Sequence, residues 1–208
     1  MVRIAHTPAL WGILVAGACL LGSSSDAAAF EHQHALGPSY QYLHLRSASG
    51  SKFNLHQLGI NYEGRYGGDL AGLFRATWLI PLSASQEGQT MIPLRDYSRA
   101  RGVDLFLGLG TRFDIAESWK LDFGLGAHTQ FIRLVSDQYV EWSTWSFGLG
   151  AVGQAYYSLP GSLWGARPEM GIRSELDFDF VDFARAGDLN LAVNAIFSTT
   201  IGLRWGGE

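Results

Sequence analysis

The chain has 208 residues, with 15 Lys and Arg against 19 Asp and Glu and a formal net charge of −4. That balance offers no basic field to a nucleic acid, and a mean hydropathy of +0.06 is too low for a bundle of membrane-crossing helices. The single cysteine, Cys19, excludes a disulfide framework.

Arg3 and His6 precede an apolar run from Leu10 to Leu21, followed by Gly22-Ser23-Ser24-Ser25-Asp26 and Ala27-Ala28-Ala29. This is the layout of a secretory signal with cleavage before Phe30. Residues 1–29 are therefore expected to be a removed signal peptide and 30–208 one mature domain. The apolar run is shorter than the roughly 20 residues a spanning helix needs. Ala16-Gly17-Ala18-Cys19 resembles a lipoprotein cleavage box, although Ala stands where Leu is usual. Cleavage after Ala29 removes Cys19 and leaves no thiol nucleophile.

Eight strand-like segments follow: Tyr40 to Arg46, Lys52 to Arg65, Leu70 to Ile80, Gly102 to Asp114, Trp119 to Leu134, Trp142 to Ser158, Arg167 to Phe180 and Leu189 to Trp205. Short turns at Gly67-Gly68-Asp69, Ala116-Glu117-Ser118 and Pro160-Gly161-Ser162-Leu163 alternate with Ser47 to Ser51, the long Pro81 to Arg101, Val135 to Glu141 and Asp182 to Asp188. Pro38, Pro81, Pro93 and Pro160 are read as lying outside the strands, and Pro168 near a strand start. In the second segment the apolar phase runs Phe53, Leu55 and then Leu58, Ile60, Tyr62, a slip that suggests a bulge near His56 and Gln57. The faces of the first two strands stay unassigned.

The last segment is the most regular. Leu189, Leu191, Val193, Ala195, Phe197, Thr199, Ile201, Leu203 and Trp205 share one face of an extended strand, longer than the 9 to 11 residues or so that cross a bilayer. It resembles the terminal strand of bacterial outer-membrane β-barrels, with Gly206-Gly207-Glu208 added after the aromatic. Phe197, Ile201, Leu203 and Trp205 are then the expected assembly signal. The preceding segment places Met170, Ile172, Leu176, Phe178 and Phe180 opposite Arg167, Glu169, Arg173, Glu175, Asp177 and Asp179. Alternation alone fits either a membrane barrel, polar inside, or a soluble ligand-binding barrel, apolar inside. Three Phe-Gly-Leu-Gly themes, at Phe106 to Gly110, Phe123 to Gly126 and Phe147 to Gly150, put glycines on the polar face, where a narrow lumen needs room. Trp78, Trp119, Trp142, Trp145, Trp164 and Trp205 fall near predicted strand ends, as interfacial aromatics would. The expected fold is all-β, an eight-stranded antiparallel up-and-down transmembrane barrel.

In that fold Arg75, Asp104, Arg112, Asp114, Lys120, Asp122, Glu169, Arg173, Glu175, Asp177, Asp179 and Arg204 line or approach the interior. Both signs are present, so the physical reading is a salt-bridged plug, set against a polar path for a solute. His128 also points inward. His32 and His34 read as part of a mobile amino-terminal tail rather than a metal site, and the carboxylates from Glu175 to Asp182 lack the loop and glycine of a calcium motif. No phosphate loop, dinucleotide fingerprint or nucleophile elbow is present, so no cofactor and no catalytic residue is expected.

The signal, the alternating strands, the Gly-Leu-Gly segments and the aromatic final strand together resemble the small outer-membrane barrels typified by OmpA's membrane domain, OmpX and OmpW. Length, the longer second outer loop and Gln57-Leu58-Gly59-Ile60-Asn61-Tyr62 lean toward OmpW. That resemblance implies a location in the bacterial outer membrane, contact with its lipids and lipopolysaccharide, recognition by the barrel-assembly machinery, and surface binding or passage of a small hydrophobic molecule without enzymatic chemistry. Two other readings stay open: a lipid-modifying enzyme of the lipid A deacylase or acyltransferase type, and a soluble lipocalin-like barrel. Enzymes of the first kind carry His and Ser on the lipid-facing wall, and no such pair is evident in the sequence.

Strand parity places the segment from Pro81 to Arg101 on the outer side, with Met91, Ile92, Leu94 and Tyr97 as apolar contacts. An epitope inserted between Gly88 and Gln89 is expected to be reached by antibody on intact cells, with the barrel folded. Detection only after the outer membrane is broken would reverse the orientation.

Overall fold

The computed structural model describes residues 32–47, 52–86, 92–93, 99–135, 142–183 and 189–206, with the turns between them at 68–69, 117–118 and 159–166 where these join strands. The signal segment lies outside the described residues. Eight long antiparallel strands pair in sequence order: β1 (His32–Ser47), β2 (Lys52–Gly67), β3 (Leu70–Gln86), β4 (Arg99–Ala116), β5 (Trp119–Val135), β6 (Trp142–Ser158), β7 (Arg167–Phe183) and β8 (Leu189–Gly206). β8 pairs back onto β1 and closes the barrel. A bilayer offers no water to unpaired backbone groups, so only such closure removes the two edges that an open sheet would expose.

The stagger is large. Following paired residues from Ala35 through Glu63, Arg75, Phe106, His128, Gly148, Asp179 and Ala192 returns to β1 at Ser47, twelve residues beyond the start. A stagger of that size over eight strands corresponds to a strand tilt of about 45°.

Polarity is inverted relative to a soluble barrel. Leu107, Leu109, Phe123, Leu125, Phe147, Leu149, Ile172, Phe178 and Phe197 are exposed on the outside, while Arg75, Asp104, Asp122, Arg173, Glu175 and Asp177 are buried inside. On β7 the apolar exterior runs from Met170 to Phe180, about the 9 to 11 residues of a tilted crossing. The outside face turns polar at a consistent level toward the ends joined by 48–51, 87–98, 136–141 and 184–188: Tyr42 gives way to His44, Leu58 to His56, Ile80 to Ser83, Val103 to Arg101 and Phe131 to Arg133.

Several strands are longer than the sequence suggests. β1 begins at His32, so His32 and His34 are not a tail: both lie in the sheet, and His34 Nδ1 is 2.7 Å from the Tyr62 hydroxyl and stacks beside Trp205. Pro38 lies inside β1 because the ladder does not call on an N–H there. The β1–β8 ladder passes from Leu36 and Leu203 to Ser39 and Thr200, with no pairing at Gly37 and Pro38. Pro81 also lies within a strand, beyond Leu79–Gly102, where the β3–β4 ladder ends. β3 continues to Gln86 and β4 starts at Arg99, which shortens the long connection to 87–98; within it Ile92–Pro93 pairs with Ser83 and Ala84. Trp78 accordingly sits in mid-strand, not at an end.

The phase slip in β2 has a different origin from the one expected. The bulge is at the level of His56 and Gln57, but the extra residue, Leu82, is on β3. β2 keeps one phase throughout, with Phe53, Leu55, Gln57, Asn61, Glu63 and Arg65 all buried. Its apolar residues change sides because the lumen changes character.

Gly126 marks how closely neighbouring strands approach: a Cβ there would lie 2.4 Å from the Leu107 carbonyl oxygen and 2.5 Å from Gly108 Cα, whereas one on Gly68 would meet nothing within 4 Å. Gly126→Val is expected to abolish the heat-sensitive gel mobility of the folded barrel, and Gly68→Val to preserve it. Equal folding of both would contradict the packing.

Candidate functional site

The lumen is filled in layers. Nearest the short turns, Arg112 grips Asp122 through two bonds of 2.7 and 2.8 Å, and Arg204 grips Glu169 through bonds of 2.5 and 2.8 Å. Gln33 accepts a further bond from Arg112. Both guanidiniums lie over the Tyr156 ring, Arg204 at 4.5 Å and Arg112 at 5.8 Å from its centroid, as cations do on the face of an aromatic. Asp114 and Lys120 approach to 4.0 Å at the rim, where Asp114 is exposed.

Above this layer sits Glu63. It accepts hydrogen bonds from Asn61 at 2.8 Å, Gln154 at 3.0 Å and the Tyr156 hydroxyl at 3.0 Å, with Arg173 at 3.5 Å. Arg75 then bridges Asp104 at 2.9 Å and Glu175 at 2.6 Å, and Arg173 approaches Glu175 to 3.8 Å. Arg75, Asp104, Arg112, Asp122, Glu169, Arg173, Glu175, Asp177, Asp179 and Arg204 thus all face the lumen. Glu63 and Arg65 join them and were missed, because the phase of β2 was unassigned. The signal was available: if Leu58, Ile60 and Tyr62 face lipid, the intervening Asn61, Glu63 and Arg65 must face inward.

His128 occupies the next layer, 2% exposed, with Nδ1 3.0 Å from Asp179 Oδ2 and 3.5 Å from Asp177 Oδ2, and Nε2 3.7 Å from Asp104 Oδ1. Toward the polar-rimmed end the lumen is closed by Leu43, Leu45, Phe53, Leu55, Ala84, Ile132, Ala192 and Ile196, all buried in one cluster. This apolar cap lies at the level where the exterior has turned polar. There the ordinary soluble arrangement returns.

The outer wall carries a second feature. A shallow groove of about 410 Å³ crosses β5 to β8 and β1, floored by Gly153, Ala155 and Ser174 and walled by Phe123, Ile172, Phe197, Tyr40 and Tyr42. Small residues in the floor and aromatics at the sides make the depression. Beyond Tyr40 and Tyr42 is a polar patch: Tyr40 Oη is 2.5 Å from His56 Nδ1, Tyr42 donates to Asn54 at 2.9 Å, His44 Nδ1 is 2.6 Å from the same Asn54 oxygen, and Asn54 donates to Ser85 at 3.3 Å. Ser85 accepts from the Asn54 amide, while the Tyr40 hydroxyl meets the His56 imidazole. Phe197, Ile201, Leu203 and Trp205 follow one another down the outside face of β8.

An apolar outer wall, a salt-bridged lumen and complete closure define a membrane-type eight-stranded β-barrel. No family model matches the sequence, and no curated protein matches it. Among solved structures, the chain is similar to Ail, the attachment invasion locus protein of Yersinia pestis (12% identity over 84% of this chain and 99% of that one, TM-score 0.48). It is similar also to the neisserial surface protein NspA (12%, 82% and 95%, TM-score 0.49) and to the outer membrane protein AlkL in lipid bilayers (14%, 89% and 94%, TM-score 0.49).

Removing one partner of a buried charge pair leaves the other uncompensated, at a cost of about 3–5 kcal/mol. Arg75→Met is expected to destabilise the barrel by roughly that amount in urea, and a second change, Glu175→Gln, to recover part of the loss. Strict additivity of the two changes would show that Arg75 and Glu175 are not coupled.

Proposed function

We propose that the protein is a non-enzymatic barrel of the bacterial outer membrane that holds a small hydrophobic or amphiphilic molecule on its outer wall. The observation that carries this reading is the division of the molecule into a filled lumen and an unfilled exterior groove. Among the described residues, ion-paired layers and a buried apolar cap occupy the axis, which disfavours passage through the lumen. The groove begins among lipid-facing residues and ends beside Tyr42, next to His44 and Asn54. An acyl chain suits its apolar length, and a polar headgroup suits the imidazoles and amide at its end.

Arg46, Lys52, Arg101 and Arg133 lie at the same boundary on the outside of the barrel, as cations facing the phosphates of lipopolysaccharide would. The exposed apolar row ending at Leu203 and Trp205 supplies the strand edge that the barrel-assembly machinery would take before β8 closes on β1.

A photoactivatable fatty acid is expected to label the wild-type barrel at Tyr40, Tyr42 or Phe197, with labelling reduced several-fold in Ala155→Trp. In planar bilayers the same barrel is expected to show no steady unitary conductance. Unchanged labelling after the groove is filled, or a stable open channel, would overturn the reading.

A further inference from the structure

We propose that the barrel interior holds a single divalent transition-metal ion between His128, Glu175 and Asp177. One ligand atom from each of these three buried residues lies within 4.8 Å of those of the others. One imidazole nitrogen with carboxylate oxygens is a donor set for Mn²⁺ or Zn²⁺, whereas Ca²⁺ would call for an all-oxygen shell of six to eight ligands or so. This site is separate from the exterior groove and does not depend on it.

The geometry comes from three adjacent strands. His128 on β5 is in register with Gly148 on β6 and Asp179 on β7, and Gly126 with Gly150 and Asp177. The two glycines of β6 leave a window through which the carboxylates of β7 reach the imidazole of β5. A Cβ on Gly150 would lie 2.0 Å from Asp177 Oδ1, and one on Gly148 would lie 2.5 Å from Asp179 Oδ1. The window is therefore occupied by carboxylate.

Charge and hydrogen bonding point to a missing cation. Asp104, Glu175, Asp177 and Asp179 converge on the imidazole; Arg75 engages Asp104 and Glu175 and Arg173 approaches Glu175 to 3.8 Å, which leaves the imidazole as the cationic neighbour of Asp177 and Asp179. Both oxygens of Asp177, fully buried, and Nε2 of His128 are without a hydrogen-bond partner among the described residues. Such groups are costly in a barrel interior unless an ion or a proton compensates them. Asp179 accepts from Asn194 and lies against Nδ1, which orients the ring and leaves Nε2, 3.7 Å from Asp104 Oδ1, as the nitrogen open to an ion. The apolar cap above the layer keeps water away from that side, so the ion is expected to enter during folding and to exchange slowly.

The test folds the full chain in detergent with Mn²⁺ or with Zn²⁺, removes free ion, and measures bound metal by mass spectrometry. Wild type should retain about one ion per chain, and Asp177→Asn and His128→Gln, each shown to be folded by heat-sensitive gel mobility, should retain at least ~10-fold less. No retained ion in folded wild type, or equal retention in the variants, would overturn the proposal, the second result placing the ion on exterior histidines. Should the variants fail to fold, Mn²⁺ broadening of wild-type amide signals decides. Loss around His128 and Gly148 to Gly150 supports the site, and loss confined to His32, His34, His44 and His56 refutes it.

Discussion

Everything in this structure depends on closing an eight-stranded sheet so that no backbone donor or acceptor is left facing hydrocarbon. Closure fixes the strand number, stagger and tilt together, and so fixes a lumen only wide enough for side chains. Seven carboxylates (Glu63, Asp104, Asp122, Glu169, Glu175, Asp177 and Asp179) and five guanidiniums (Arg65, Arg75, Arg112, Arg173 and Arg204) must share that space. They fit because glycines of β4, β5 and β6 withdraw side chains from one wall while long charged residues project from the other. Gly148 and Gly150 are the clearest case, each giving its volume to an aspartate on β7.

Much of the barrel was legible because lipid imposes a strict period of two. β6, with Phe147, Leu149 and Ala151 outside and glycines inside, has the bounds read from the sequence, and β8 differs by one residue. Legibility failed where the solvent changed. The slip between Phe53, Leu55 and Leu58, Ile60 suggests a bulge on β2, which would let these apolar residues share one face. They do not, because the outside face of upper β2 is polar, with Asn54 and His56, and its apolar residues turn inward. The apparent slip marks the level at which the outer wall changes from apolar to polar.

The candidate sites were less visible for a related reason. A strand pattern gives the side on which a residue lies, but not the register that sets its partner. His128 and the alternate carboxylates of β7 were each visible, and the carboxylates alone lack the features of a metal motif. Only the pairing through Gly148 and Gly150 brings them together. The outer groove was hidden in the same way: Gly153, Ala155 and Ser174 look like weak points in apolar strands until register sets them side by side under Tyr40 and Phe197.

The interior charges also carry register information that an apolar filling would not. A slip of β7 by one residue would turn Glu169, Arg173, Glu175, Asp177 and Asp179 into hydrocarbon and Ile172, Leu176 and Phe178 into the lumen. Near the cap the contrast is kept with its sign reversed: Leu43, Leu45, Phe53 and Leu55 face inward, and Tyr42, His44, Asn54 and His56 face outward. Register on β1 and β2 is therefore specified along nearly their whole length, although the rule that specifies it changes partway. The bulge at Leu82 falls at the same level, where β3 leaves its ladder with β4 and Ser83 takes the outward phase. The strand thus changes phase where its surroundings change, and this lets one continuous sheet satisfy lipid below and water above.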